Sequence, residues 1–581
     1  MTTLSDSNIA IDTEVTLTHD FGHIRLQGNT SSYVESDHWR AILDEIDDLK
    51  DMARGEADSI HETTNDGVQT LPGADLFFLH TYPATKTEII AALPSRPLLD
   101  SIIARYFQTA DMPVTLIIHR KVFFKQYENF WEDPHSTPIM WLTILLGNYM
   151  KGTPHTIEAL LTFLQTEYVL GEDAQQGTWQ LIGTIICVAL KMGYHRDGSH
   201  FPDVSPFEAE MRRRTWYILI QFDIASASQL GLPRTIKESQ CDTQEPRNLL
   251  DDDFDYTCSM LPPAIPPNEH TLSQFLIYKS RVVMVYGMIC DFTTSSKQRD
   301  YGEAGRLDNL LRDSYTQKPA VLELKPLHRS IMDGTDLVTR RLYIAMSFYL
   351  AQMTLHRKFM FLAKTNSKYS ASHATCIEAA LLALGLQAEL AEHTQPGRML
   401  YADRWKIFVL IQSEFLLATI ILCYNLDDNL TNSRQGKAPI ATQEFTQKSL
   451  IALQVAQDIW WKQQDLSKEA GSAVKAIDVV LNKARGATVM PKRNVMSSWA
   501  SSTVSSAGAA HFTEGNAGIV SSSSPLSEPM LQSFPKSNAP QSLHRRVPSK
   551  DSLSSTHFNY DDVSWNDFFD LDRSWESWLQ F

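Results

Sequence analysis

The sequence predicts an all-α protein: one large helical bundle, preceded by a disordered N-terminus and followed by a Ser-rich linker and an acidic, aromatic C-terminal tail. Three observations carry that expectation. Apolar residues recur at three- and four-residue spacing through most of residues 93–485. Alternating strand patterns are few there, and no Asn-Gly hairpin dipeptide separates the apolar segments. The best-marked boundary in the chain, at Ser205, is a helix start.

Taken in order, residues 1–30 are polar, lack sustained periodicity and are expected to be disordered. Within residues 31–55, "SDHWRAILDEIDDLKDM" sets Trp39, Ile42, Leu43, Ile46 and Leu49 at helical spacing, an amphipathic helix that must dock on something. Residues 56–92 read as a polar linker. The body, 93–485, opens with "SRPLLDSIIARYFQ" and "MWLTILLGNYM" and continues with "TIEALLTFLQTEYVL" and "TWQLIGTIICVALKMG", a helical hairpin by spacing. Its later helices include "LSQFLIYKSRVVMVYGMICDF", "TCIEAALLALGLQAELAEH" and "KIFVLIQSEFLLATIILCYNL". No fixed-period repeat stands out, which argues against a solenoid.

One helix is marked at both ends. Ser205 suits the N-cap, Pro206 the first helical position and Glu208 the third, completing a capping box. Gly231 and Pro233 punctuate its end. Glu208–Arg212 and Glu210–Arg214 stand four apart on it. The triplet Arg212-Arg213-Arg214 is either a phosphate-binding strip or a solvated, locally paired face, and the second is expected.

The 581 residues are 43% hydrophobic and 21% charged, enough for a substantial core without disulfides or metals. A formal charge of -16 argues against a surface that coats nucleic acid, although a small basic module on an acidic body would fit. Six scattered cysteines, the first at Cys187, form no C-x-x-C pair and no zinc-ligand spacing with histidine. They read as reduced, buried thiols of an intracellular protein. The N-terminus lacks the basic head and apolar run of a secretory signal. The most apolar stretch, from Ile407, carries Gln412, Ser413 and Glu414 in its middle and reads as a core helix, so no membrane span is expected.

Enzyme motifs fail one by one. His195-Arg196-Asp197 matches the heart of a kinase catalytic loop, but such a loop needs Asn five residues beyond the Asp, and position 202 is Pro. No glycine-rich phosphate loop, H-E-x-x-H or G-x-S-x-G is present. His195 and His200 stand five apart in a loop, where capping or packing is the expected role rather than metal ligation. No catalytic residue is expected.

The stretch from "GTWQLIGTIICVALKMGYHRDGSH" through "LLDDDF" resembles the fungal-specific transcription factor domain, the regulatory middle region of the zinc-binuclear-cluster regulators of fungi. The matching residues run from Gly193-Tyr194-His195-Arg196-Asp197 through Ser205-Pro206, Glu210-Met211-Arg212-Arg213-Arg214-Thr215-Trp216 and Asp223. They continue with Gly231-Leu232-Pro233, Asp242-Thr243, Pro246-Arg247-Asn248 and Asp252-Asp253-Phe254. The likeness extends over residues 31–485. It implies an all-α regulatory scaffold without catalytic residues, nuclear, acting on pathway genes for nutrient use or secondary metabolism. In it, His195-Arg196-Asp197 would be a polar knot at a helix end, with Asp223 or the Arg212–Arg214 run as partner to one of its charges.

Relatives carry six cysteines that bind two zinc ions near the N-terminus and place a short helix in the major groove. No cysteine precedes Cys187, so the resemblance carries no zinc or DNA contact onto any residue here, and no cofactor is expected in this chain. Two explanations compete: an upstream exon outside this sequence, or a co-regulator that pairs with a full-length zinc-cluster factor. The resemblance also implies homo- or hetero-dimerisation. The Trp39–Met52 segment spans barely two heptads, too short to hold a dimer alone.

Beyond Gly486 the composition shifts. Residues 486–557 are Ser-, Ala-, Gly- and Pro-rich, a disordered linker. In 558–581, Trp565, Phe568, Phe569, Leu571, Trp575 and Trp578 alternate with Asp561, Asp562, Asp567, Asp570, Asp572 and Glu576. Acids keep such aromatics solvated and open to a partner groove, so the tail reads as an activation segment contacting coactivators or the transcription machinery. The competing reading is a C-terminal helix docked on the protein's own core.

Overall fold

The helical periodicity of residues 93–485 becomes, in a computed structural model, a set of helices that pair along their apolar faces. The structure describes residues 23–27, 30–34, 39–43, 46, 86–91, 93, 95–108, 116–137, 155–170, 176–295, 300–434, 443–464 and 467–486. All of them belong to one compact unit within residues 1–511. Trp565, Phe568, Phe569, Leu571, Trp575 and Trp578, expected from the sequence to form an activation segment, lie outside the described residues.

Strands β1 (His23–Gln27) and β2 (Thr30–Val34) come first, followed by helices α1 (Trp39–Leu43), α2 (Lys86–Ala91), α3 (Arg96–Gln108) and α4 (Arg120–Glu132). The next helices are α5 (Thr156–Leu170), α6 (Gln176–Lys191), α7 (Pro206–Leu230), α8 (Leu272–Thr293) and α9 (Tyr301–Thr316). The last are α10 (Thr335–Leu362), α11 (Ser370–His393), α12 (Arg404–Arg434), α13 (Gln443–Trp461) and α14 (Lys468–Gly486).

The strands are an antiparallel hairpin in which Gln27 stands opposite Thr30. Residues up to 30 read as disordered from composition, so β1 is a departure. Its signal is in the sequence all the same: Gly28-Asn29, a turn-forming dipeptide, separates two short runs holding β-branched and aromatic residues. Helix α2 likewise falls inside the stretch read as a linker.

From α5 onward, most helices pack against the helix that follows them in sequence, even across the long segment 231–271 between α7 and α8. Helix α5 pairs with α6, α6 with α7, α7 with α8, and α8 with both α9 and α10. Helices α10 and α11 form the most extensive pair, and α11, α12, α13 and α14 close the far end. One continuous apolar core runs through all of this, from Ile157 and Leu161 on α5 to Ile477 and Leu481 on α14. The N-terminal amphipathic segment docks on this core rather than standing apart. Trp39, Ile42 and Ile46 are buried, and α1 packs against α12.

The helix with polar residues amid its apolar run, α12, is a core helix from Phe415 to Leu426, with Trp460 of α13 donating its indole N–H to Thr419 at 3.1 Å. One helix among the described residues, spanning Ser367–His393, is long and apolar enough to cross a membrane, and two thirds of its apolar window is buried inside the bundle.

Candidate functional site

Helix α7 is the spine of the site. Its N-terminus is the capping box legible in the sequence: the Glu208 N–H donates to Ser205 Oγ at 3.2 Å, and the Ser205 N–H donates to Glu208 Oε2 at 3.1 Å. Its C-terminus turns at Gly231, whose φ of 63° is the left-handed region open to glycine, while the Leu232 N–H reaches back to the Ala227 carbonyl at 2.8 Å. Between these ends lie buried residues on every side, Trp216, Leu219 and Ile224 among them, so α7 is surrounded rather than laid on a surface.

The tripeptide His195-Arg196-Asp197 lies on the return from α6 to α7, just after Gly193 breaks α6 at φ 77°. Its three residues have three fates. Asp197 is completely buried and collects donors from every direction. Arg213 Nε and Nη2 grip its two oxygens at 2.7 and 2.6 Å, the Ser199 N–H and hydroxyl donate at 3.0 and 2.6 Å, and the Gln244 N–H donates at 2.9 Å. Burial alone would raise the Asp197 carboxyl, but Arg213, Ser199 and Gln244 together hold it well below the usual carboxylate range. Arg196 reaches outward to Asp242 at 3.0 Å, both side chains being substantially exposed. The half-buried ring of His195 leans on Trp216, with centroids 6.4 Å apart, and its carbonyl accepts the Asp242 N–H at 3.1 Å.

The three arginines depart from the solvated face expected of them. Arg212 donates to the Met192 carbonyl at 2.9 Å and lies 4.7 Å over the Tyr194 ring, fastening the end of α6. Arg213 holds Asp197. Arg214, fully buried, bonds Asp251 at 2.7 Å and the Leu249 carbonyl at 3.2 Å, with its guanidinium 5.0 Å from the Phe254 ring centre. The Glu210–Arg214 pairing is present at 3.5 Å, but inside the protein, and both Glu210 oxygens also accept the Arg247 N–H. Glu208 serves the cap instead of Arg212. Sequence spacing identified the Glu210–Arg214 pair on α7, while the expected Glu208–Arg212 pair does not form. It carried no sign of the chain that returns over them at residues 241–258.

That returning segment is a belt of extended chain and turns, pinned mainly by side chains. Asp251 bridges Arg214 to the Arg120 N–H at the start of α4, 2.8 Å away. Arg281 of α8 forks onto Glu245 through two bonds of 2.7 Å. Asn248 gives its side-chain N–H to the Ile265 carbonyl at 2.8 Å and accepts from Thr271, the N-cap of α8.

Asp223 stands apart from the tripeptide. It accepts the Thr235 and Ile236 N–H groups at 2.9 and 2.7 Å, holding the chain as it leaves Gly231 and the exposed Pro233. Burial pushes its carboxyl up against the opposing pull of those donors. Next to it, Arg234 was not singled out from the sequence. Its buried guanidinium makes paired bonds of 2.6 Å to Glu238 and 3.1 and 2.6 Å to Asp291 of α8. The i,i+4 spacing of Arg234 and Glu238 is the one local hint of it. Gly287 makes room for this arginine, since a Cβ there would sit 3.0 Å from its Nη1 and 2.8 Å from Ile224 Cδ1.

Chemically the site is a clasp. Its charged groups are satisfied by one another and by backbone amides, the pattern of a structural network rather than of groups poised to react. His200 faces Asp242 at 3.8 Å rather than His195, and among the described residues no three His, Cys, Asp or Glu side chains gather to hold a metal ion.

Comparison with known proteins points the same way. The model of the fungal specific transcription factor domain matches residues 155–301, from α5 to the first residue of α9, and so encloses α7 and the belt that returns over it. The chain is 38% identical over 517 residues to the Zn(2)-C6 fungal-type transcription factor pigI of Monascus ruber, covering 81% of this chain and 63% of that protein. It is 34% identical to the Zn(2)-C6 fungal-type transcription factor mpsB of Macrophomina phaseolina, covering 81% and 69%. It is 33% identical to the equisetin cluster transcription factor eqxF of Fusarium heterosporum, covering 80% and 73%. The chain thus spans a little under two thirds of the length of pigI. No solved structure matches it.

Proposed function

This chain belongs to the family of Zn(2)-C6 fungal-type transcription factors, which are regulators of transcription and not enzymes, and from that premise we propose that it activates the genes of one secondary-metabolite cluster in the nucleus. The observation that carries the pathway assignment is the cluster that several of its relatives are named for. The equisetin and fusarisetin A cluster factors align with about four fifths of this chain, through the helical body rather than through a short shared motif.

On this reading the helical body is the regulatory part, and the clasp on α7 keeps its first half in one arrangement. Residues 558–581 supply activation by presenting Trp565, Phe568, Phe569, Leu571, Trp575 and Trp578 to a coactivator groove. The chain acts on DNA as a homo- or hetero-dimer with a zinc-cluster factor. Its own sequence has no cysteine before Cys187, so the reading assigns DNA contact to none of its residues.

The test is a tethering assay. Residues 558–581 fused to an unrelated DNA-binding module should raise reporter expression, and replacing Trp565, Phe568 and Phe569 together by Ala should return it to background. A fusion with no activity overturns the activator assignment.

A further inference from the structure

Helix α6 packs against α5 and α7 and turns its remaining side outward. That side is one wall of a groove of about 510 Å³, lined by Trp179, Gln180, Gly183, Cys187 and Lys191 of α6 and by Thr235 just beyond α7. Spacings of three and four place these α6 residues on one half of the helix, with the exposed Leu190 at its edge. Cys187 is the one exposed cysteine of the six, a departure from the buried thiol expected of it.

Gly183 is the informative residue. Inside a helix a glycine costs about 1 kcal/mol relative to alanine, so its place there calls for a steric reason. At Gly287 the reason is internal, since a Cβ would press on Ile224 and Arg234. At Gly183 no neighbouring atom lies within 4 Å of where a Cβ would stand. Gly305 on α9 is equally open, but Arg306 and Asn309 beside it are exposed and polar. Gly183 instead stands one turn from Trp179 and one turn from Cys187. A notch that the fold itself does not fill, set between such residues, admits the close approach of a second backbone.

The face is also complementary to itself. One flank, Trp179, Gly183 and Leu190, carries no polar side chain, the other, Gln180, Thr184 and Lys191, is polar, and Cys187 lies between them. Two such helices running antiparallel about a two-fold axis bring each flank against its own kind. With the axis level with Ile185, Trp179 covers the partner's Leu190, Lys191 donates to the partner's Gln180, and Gly183 faces the partner's Cys187. The two Lys191 ammonium groups, the only charges in the groove wall, then stand about 18 Å apart along the helices, so like charges do not oppose one another. A helix pair of this length buries at most about 1,200 Å², the small end of specific interfaces, so the pairing is reversible and sets in with concentration.

We propose that the outward face of α6, centred on Gly183 and Cys187, is a homodimer contact occupied by the same face of a second copy of this chain, running antiparallel. The contact deepens the reading above, on whose homodimer it rests, by giving that dimer an interface within the helical body. The activator assignment plays no part in it.

The test uses the purified full chain. Its sedimentation mass should rise with concentration from 65.7 kDa toward twice that value. A bismaleimide spanning about 8 Å should join two copies, because the paired Cys187 residues stand about 6 Å apart along helices whose axes are about 8 Å apart. C187S should lose the cross-link and keep the association. G183E sets two carboxylates against each other across the axis and should weaken association about tenfold or more. Diluted to the monomer it should melt no lower than the parent, since its position is open and glutamate is the better helix former. G183K should weaken association likewise, and an equimolar mixture of G183E and G183K should associate again. A chain that stays monomeric, a dimer indifferent to G183E, or a cross-link that persists in C187S overturns the proposal. Should G183E not fold, Cys187 cross-linking in the parent decides alone: its formation supports the contact and its absence overturns it. A monomeric chain alongside an active tethered reporter refutes this contact alone, and a cross-linked dimer alongside a silent reporter refutes the activator assignment alone.

Discussion

Asp197 and Arg213 meet inside the protein through two parallel bonds of 2.6 and 2.7 Å, joining the loop after α6 to the second turn of α7. The partner of each lies sixteen residues away in sequence. The carboxylate is fixed because Ser199 and Gln244 also donate to it, and the guanidinium because it projects from a helix buried on all sides. The tripeptide that resembles a kinase loop is therefore a tertiary fastening. Breaking it by Arg213→Met leaves a buried carboxylate short of its cation and should lower stability by about 3–5 kcal/mol. A double-mutant cycle with Asp197→Asn in urea unfolding checks this: the two changes together should cost clearly less than their sum.

The same carboxylate sets an acid limit. Its folded-state pKa is depressed, so its contribution is complete above the unfolded value of about 3.9 and disappears as pH falls below that toward the folded value. Urea midpoints measured from pH 6 down to pH 3 should drop for the parent at the acid end and drop less for Asp197→Asn. Equal slopes in the two proteins would remove Asp197 from the acid response.

Glu414 acts with the opposite sign. Burial raises it to about 7 from a usual value near 4.5, so the stability of its neutral form is present at pH 4.5 and is lost as pH rises through about 7. Glu414→Gln should flatten the stability profile between those limits and leave the variant more stable than the parent at pH 8. Thermal midpoints across that range provide the measurement.

How much of this was legible in the sequence depends on which residues are asked about. Ser205, Glu208 and Gly231 declared the ends of α7, because caps are local chemistry and each fixes its own turn. The apolar spacing of α5, α6, α8 and α11 declared the helices, since periodicity needs no knowledge of the partner. Arg213, Arg214 and Glu210 show the limit. Their i,i+3 and i,i+4 spacings read identically on a wet face and inside a protein, and only the belt at residues 241–258 decides between them. Arg234 shows the same limit: its spacing to Glu238 is local, but its other partner, Asp291, lies on another helix. The β1–β2 hairpin is different: Gly28-Asn29 is a local turn signal, but it sits in a segment whose polar composition favours disorder.

Gly231 offers a test confined to backbone geometry. At φ 63° a Cβ is disfavoured by about 1 kcal/mol, so Gly231→Ala should destabilise by that order, and Gly231→Asn by less. Urea unfolding of the two variants side by side distinguishes conformational strain from lost packing, because asparagine is the larger residue.

Gly287 tests packing around Arg234. An added Cβ meets Ile224 and the guanidinium at 2.8 and 3.0 Å, so Gly287→Ala should cost about 1–3 kcal/mol through displacement of the Arg234–Asp291 fork. Combining it with Arg234→Met should recover most of that loss, since the obstructing group is then flexible and uncharged. The comparison of melting midpoints for the single and double variants checks the coupling.

Transcript profiling most directly tests the proposal that this protein switches on the genes of one biosynthetic cluster. Removing its gene from the source organism should silence a contiguous run of biosynthetic genes, and restoring the full chain should bring their messages back. Messages from every such run unchanged after its removal would contradict the account.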